Sequence, residues 1–301
     1  MRKQILLGIA ALLVGVLPTL AQDEEVEVLS CTPEDTAVFG EIVFPLLTSH
    51  QEIGMSVDAA DPTTGTEAVI GFNALATDFW ITSYPELPNC LEAGALGYNF
   101  GIAFDESLIN IGLARLSLYE SEYGDAELAQ SLADLMMTRT DWYKSVVENT
   151  FGQISEENGI PDSMFSYELE ACTAEDGESE AVTAFNDSIE AYNELSQSLG
   201  DITDEEASVL LFAFAELGTT YWIEIYPELP ACAEISQDGY NIGLVYNEQV
   251  IVMMLQRLAA YEEEYGTPEA AQALTEGAEA RAELAQSFIE AAFPDPDAEA
   301  E

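Results

Sequence analysis

The chain has 301 residues, 57 of them Asp or Glu against 7 Lys or Arg and a single His, for a formal net charge of −50. A polyanion of this kind repels phosphate backbones and anionic membrane surfaces, which excludes nucleic-acid binding. With 48% hydrophobic and 10% aromatic residues, the composition can fill a sizeable core and is not that of a disordered chain.

In chain order, residues 1–21 follow the pattern of a secretory signal peptide. Arg2 and Lys3 precede an apolar stretch from Ile5 to Leu17, then a helix-breaking Pro18 and a Thr19-Leu20-Ala21 site. Cleavage after Ala21 gives a mature chain, secreted or periplasmic, whose basic residues are Arg115, Arg139, Lys144, Arg257 and Arg281. The leader's apolar run is shorter than the ~20 residues that span a bilayer. The most apolar later stretch, Val250 to Leu255, is bounded by Glu248 and Arg257. The expectation is no membrane span in the mature chain.

The remainder repeats itself. Tyr84-Pro85-Glu86-Leu87-Pro88-Asn89-Cys90 returns 142 positions later as Tyr226-Pro227-Glu228-Leu229-Pro230-Ala231-Cys232. At that constant offset, 32 of the 75 positions from Thr77 to Phe151 are identical to those from Thr219 to Phe293. Further upstream, Cys31-Thr32-Pro33-Glu34-Asp35 is mirrored by Cys172-Thr173-Ala174-Glu175-Asp176. The reading is two tandem homologous units, 22–151 and 170–293, joined by a linker at 152–169 and followed by a disordered acidic tail at 294–301.

Each unit is expected to be a four-helix unit in an all-α protein. Thr32 before Pro33, and Thr173 with Asp176 at the capping-box position, open the first helices. Pro45 is expected to kink the first of them. The second helices open near Thr64…Glu67 and Thr203…Glu206 and end at Tyr84 and Tyr226, ahead of a proline. The third run from about Glu92 to Glu122 and from about Glu234 to Glu264, stopping at Gly124 and Gly266. They carry apolar residues on more than one face, as buried central helices do. The fourth begin at Asp125 and Thr267. Tyr261-Glu262-Glu263-Glu264-Tyr265-Gly266-Thr267-Pro268 resembles a tetratricopeptide helix turn, but helices near 30 residues depart from that repeat, so no family is assigned.

Cysteines occur in matched pairs, one before the first helix and one after the second, points that lie side by side in a helical hairpin. The pairing expected is therefore Cys31–Cys90 and Cys172–Cys232, one staple per unit, as an oxidising compartment allows.

Signals for catalysis are sparse. His50 has no matched histidine, and no nucleophile elbow, zinc-protease pair, phosphate loop or calcium loop occurs. No catalytic residue, metal ligand or cofactor is assigned. Glu86, Glu92, Glu106, Glu120, Glu122 and Glu127 all recur as Glu in the second unit, the raw material of a carboxylate-dependent hydrolase. Arg115 and Arg257 lack an acid at helical spacing, so Glu86 and Glu228 are the candidate partners of an Arg–Glu clamp, with Tyr119 and Tyr261 on the guanidinium faces. The same residues would suit an anion-binding site. Trp80, Trp222, Tyr98, Tyr240, Asn99 and Asn241 are the candidate lining of a small-molecule pocket in each unit. The function expected is an exported, non-catalytic helical module binding a small ligand or a partner protein. The alternatives are a polyanionic cation-binding surface protein and a carboxylate-dependent hydrolase.

Overall fold

The computed structural model describes residues 31–57, 62–151, 171–199 and 203–292. The leader, the linker and the acidic tail expected from the sequence lie outside these residues. Among the described residues the fold is all α-helix and turn, with no strand. The helices are α1 (Pro33–Ser56), α2 (Pro62–Asp78), α3 (Leu91–Tyr123), α4 (Ala126–Phe151), α5 (Ala174–Gly177), α6 (Glu180–Gln197), α7 (Asp204–Thr220), α8 (Ala233–Tyr265) and α9 (Pro268–Ala292).

Local chemistry explains most of these boundaries. Thr32, Thr173 and Thr203 are reciprocal capping boxes: each hydroxyl accepts the N–H three residues on, and Asp35, Asp176 or Glu206 reaches back to the cap N–H. Three boundaries differ from expectation. First, α2 begins at Pro62, a proline at the first helical position, two residues ahead of Thr64. Second, the counterpart of α1 is interrupted at Glu178–Ser179, where Ser179 caps a new helix; Pro45 lies inside α1. Third, the second helices do not stop at Tyr84 and Tyr226. Each widens into a π turn (Phe79–Ser83, Tyr221–Ile225) and then tightens into a 3₁₀ turn (Tyr84–Glu86, Tyr226–Glu228). The proline enters at the start of the 3₁₀ turn, where its missing N–H leaves no bond unmade.

Disulfides join Cys31 to Cys90 and Cys172 to Cys232, with Cα–Cα separations of 5.2 and 5.0 Å, and mark an oxidising, extracellular type of environment.

The centre of the molecule is the pair α3 and α8. Residues at matched positions meet along their whole length: Tyr98 stacks on Tyr240, Tyr119 on Tyr261 and Tyr123 on Tyr265. The two helices therefore run parallel and in register. Positions 98, 105, 112 and 119 of α3 recur every seven residues opposite 240, 247, 254 and 261 of α8, the spacing of a parallel coiled-coil seam. At the third of these levels Gly112 leaves room for the Met254 thioether, so the backbone approaches the partner helix closely.

Outer helices lock the halves together. α4 packs on α3 and on α7, while α9 packs on α8 and on α2, so each half's last helix lies against the other half's second helix. One continuous apolar core results, with Phe39, Phe79, Phe104 and Leu113 of the first half in the same cluster as Phe214, Tyr246, Leu255 and Leu274 of the second. One further segment, Glu206–Glu228, is long and apolar enough by length and composition to cross a membrane, contrary to the reading that none follows the leader; half of its apolar window is buried in the fold, as in a core helix.

Candidate functional site

Three polar or aromatic levels are strung along the α3/α8 pair. The first lies at its N-terminal end. Tyr84, Tyr98, Tyr240 and Tyr226 form a continuous row, with ring centroids 5.2, 5.7 and 4.9 Å apart from one to the next. All four are half-buried. The central pair lies nearly parallel, at 18°. Their polar edges are tied down: the Tyr240 hydroxyl donates to Asn99 Oδ1 (3.1 Å), and Gln237 Nε2 donates to the Tyr98 hydroxyl (3.3 Å) and to Asn241 Oδ1 (3.2 Å).

Behind the row sit Trp80 and Trp222, each at most 4% exposed. Each ring lies where a side chain on Gly101 or Gly243 would be, which is why glycine stands at those positions. Trp80 Nε1 donates to Asp105 Oδ2 (2.9 Å) and Trp222 Nε1 to Asn247 Oδ1 (3.2 Å). The six residues read as pocket lining thus do converge. They converge on one another, and the indoles fill the space above the glycines.

The second level is a sealed charged cluster. Asp105, Glu106, Asn247, Glu248 and Arg281 are 0% exposed, and Arg139 is 1% exposed. Arg139, on α4, grips Glu106 with Nε (3.0 Å) and Nη2, and reaches Asn247 Oδ1 (3.0 Å) and Thr219 Oγ1 (2.9 Å). Arg281, on α9, donates from Nη2 to Glu248 Oε1 and Asp105 Oδ1, both at 2.5 Å. Burial pushes the carboxyls of Asp105, Glu106 and Glu248 up from their ordinary values, against the pull of the arginines. Raised, paired glutamates are what a hydrolase needs, but these are closed off from substrate by the surrounding helices.

The third level corrects the clamp. Arg115 meets Glu262, not Glu86, and Arg257 meets Glu120, not Glu228, each at 3.4 Å across the α3/α8 seam. Glu86 and Glu228 are exposed. A parallel, in-register pair brings matched faces together, so a helix's missing acid is supplied by its twin, one turn and a half further along. Each carboxylate is surrounded by donors. Glu262 Oε1 accepts from Thr66 Oγ1 and the Tyr119 hydroxyl, both 2.6 Å, and Glu120 Oε1 accepts from Ser208 Oγ at 2.6 Å. The second oxygens take the Thr267 and Asp125 N–H groups (3.3 and 3.2 Å) at the ends of their own helices. Those oxygens occupy the space a side chain on Gly124 or Gly266 would need. Burial pushes both carboxyls up, but the hydroxyl, N–H and arginine donors outweigh it, and both lie below the usual carboxylate value. Tyr119 and Tyr261 do lie under their guanidiniums, 4.0 and 4.2 Å from ring centroid to Cζ.

His50 has a serine neighbour that its sequence context does not suggest. His50 Nε2 is 2.7 Å from Ser107 Oγ, which is also 2.6 Å from the Tyr143 hydroxyl and donates to Ala103 O at 3.0 Å. Burial lowers the histidine to about 4, so it is neutral at physiological pH. Ser107 lies inside α3, whose N–H groups are committed to the helix ladder, so none is available to form an oxyanion hole. The matched positions hold Tyr192 and Gln249, 3.4 Å apart, so both halves tie an outer helix to the central pair at this point.

Of the five basic residues that follow Lys3, the four arginines are consumed in these internal networks, while Lys144 is 65% exposed. Sequence reasoning noted Glu106 and its repeat but did not join them to Asp105, Arg139 and Arg281. The signal for this second level was available in the seven-residue spacing of Tyr98, Asp105, Gly112 and Tyr119, with an acid standing in an otherwise apolar seam. No family model, curated protein or solved structure matches the chain.

Proposed function

We propose that this is an exported, non-catalytic helical module, built by tandem duplication of one unit, that docks a cationic partner protein on the tyrosine-lined end of its central helix pair. The row Tyr84–Tyr98–Tyr240–Tyr226 carries the reading. Half-exposed tyrosines offer large, rigid contact area at low entropic cost and are the residues that interfaces favour. Behind the row the buried indoles of Trp80 and Trp222 fill the space over Gly101 and Gly243, and a row of tyrosines backed in this way suits a macromolecule better than a small ligand. The rim residues Glu86 and Glu228, and an exterior almost without basic groups, favour a partner of opposite charge. Duplication is supported by the elements themselves, since α3 and α8, and the π and 3₁₀ turns before them, keep the same bounds at the offset of 142. Export rests on the leader-like residues 1–21 together with the disulfides.

The test is a titration with a lysine-rich peptide containing tyrosine and proline, followed by the fluorescence of Trp80 and Trp222. Saturable binding that weakens at least tenfold in Tyr84→Ala/Tyr226→Ala, with folding checked by circular dichroism, supports the platform. The second reading, a polyanionic surface that gathers cations, is favoured by the engagement of all four arginines in internal ion pairs. It predicts peptide binding that these substitutions leave untouched and that salt abolishes.

A further inference from the structure

The second level of the central pair is unequal in its two halves. Around Arg139 the accounts close. Glu106 receives three donors, Nε and Nη2 of Arg139 and Nδ2 of Asn247 (3.0 Å), and Arg139 Nη1 is met by Thr219 Oγ1 and Ala215 O. Around Arg281 they do not. Asp105 stands where the other half has Asn247, so one guanidinium faces two carboxyls. Asp105 receives both Arg281 and Trp80 Nε1, whereas Glu248 receives Arg281 alone, and its Oε2 is buried with no partner.

Counted together, the sealed level holds three carboxyls against two guanidiniums. An uncompensated charge in such a place costs more than protonating one acid. The acid with fewest donors is the one to take the proton. A carboxylic acid O–H then needs an acceptor; α2 carries two buried oxygens without a partner, Asn73 Oδ1 and Thr77 Oγ1, and Nε and Nη1 of Arg281 are buried donors without one. Asn73 lies against Gly277, one turn before Arg281 on α9, and residues 73 and 77 match the Ala215 and Thr219 that serve Arg139.

We propose that the Arg281 site is a buried proton-binding site, in which Glu248 is held as a neutral carboxylic acid and Asp105 is the ionised partner of Arg281. The charged groups around it are Asp105 and Glu106 from α3, Arg139 from α4 and Arg281 from α9; α2 contributes only neutral side chains. Burial raises the Glu248 carboxyl and the Asp105 charge adds to this, against the attraction of Arg281. Once the pH exceeds the ordinary carboxylate range, the unfolded chain has lost this proton and the folded chain keeps it. The stability tied to the proton is therefore full at low pH and falls as the pH rises toward the folded-state value.

Glu248→Gln replaces the O–H with an N–H and cannot ionise. The expected result is a Tm close to that of the wild type near about pH 4 and above it by a margin that grows toward about pH 8. A deficit at the higher pH that shrinks on acidification means that Glu248 is ionised, and overturns the proposal. Infrared spectroscopy of the wild type gives an independent reading. At about pH 8 exposed carboxylates are ionised, so a surviving carboxylic-acid C=O band reports a buried acid. That band must be present, and must vanish in Glu248→Gln; its absence from the wild type, or its persistence in the variant, also overturns the proposal.

Discussion

At the scale of single residues, acids identical in type play opposite parts according to where the helix register puts them. Glu86 and Glu262 are both glutamates near an aromatic, yet one faces water and the other sits 6% exposed beneath Arg115, Tyr119 and Thr66. Glu262→Gln is expected to cost about 2 kcal/mol, since it removes a charge-assisted acceptor and leaves buried donors poorly met. Glu86→Ala is expected to change stability by less than about 0.5 kcal/mol, as an exposed side chain outside any network does. Paired thermal melts of the two variants check this; an equal loss in both would restore Glu86 to the clamp. The partner's residue type was legible in the sequence, because an arginine with no acid on its own helix must find one elsewhere. Which acid it finds was not, because that depends on the parallel register of two helices 142 positions apart.

At the scale of elements, caps and breaks were legible and turns of unusual pitch were not. A threonine followed three residues later by Asp or Glu marks a helix start at Thr32, Thr173 and Thr203, whereas the same spacing at Thr64 falls inside α2, which Pro62 opens. The π turns at Phe79 and Tyr221 carry no such signature. They arise where the second helix has to swing its tryptophan onto Gly101 or Gly243 of the next helix. The disulfides then pin the start of the outer helix to the start of the central one. Each closes a loop of about 60 residues, worth about 4 kcal/mol in the chain-entropy model. Replacing Cys31 and Cys90 together with serine should lower stability by about that amount, measured by denaturant unfolding. Hydrogen exchange should then rise first in α1, which holds to the rest of the fold mainly through α2. Uniform exchange across all helices would instead mean that α1 unfolds only with the whole.

At the scale of the molecule, the charge is sorted: the arginines turn inward onto buried acids, Asp105, Glu106, Glu120, Glu248 and Glu262. Acid stability should follow the third level. Glu120 and Glu262 lie below the ordinary carboxylate value when folded, so their contribution is present above that value and is lost as the pH falls through their folded-state values. Tm should therefore fall on acidification below about pH 4, and the fall should be shallower in Glu120→Gln/Glu262→Gln, which has no carboxylate to protonate at this level. An equally steep fall in the double variant would place the acid sensitivity elsewhere.

The sequence by itself determined the all-helical class, the caps at Thr32, Thr173 and Thr203, the cysteine pairing and the repetition at an offset of 142. Each of these follows from short-range chemistry or from identity between segments, which need no coordinates. Only the tertiary structure decided that the central helices run parallel and in register, and that each half closes over the other. It also decided that the tyrosines pack into a row, and that two arginines and three acids are sealed between the halves. Those features are set by which faces of distant helices meet. An amphipathic pattern says that a face is buried, while the choice of partner comes from the fit of glycine to methionine, indole to glycine and arginine to carboxylate across the seam.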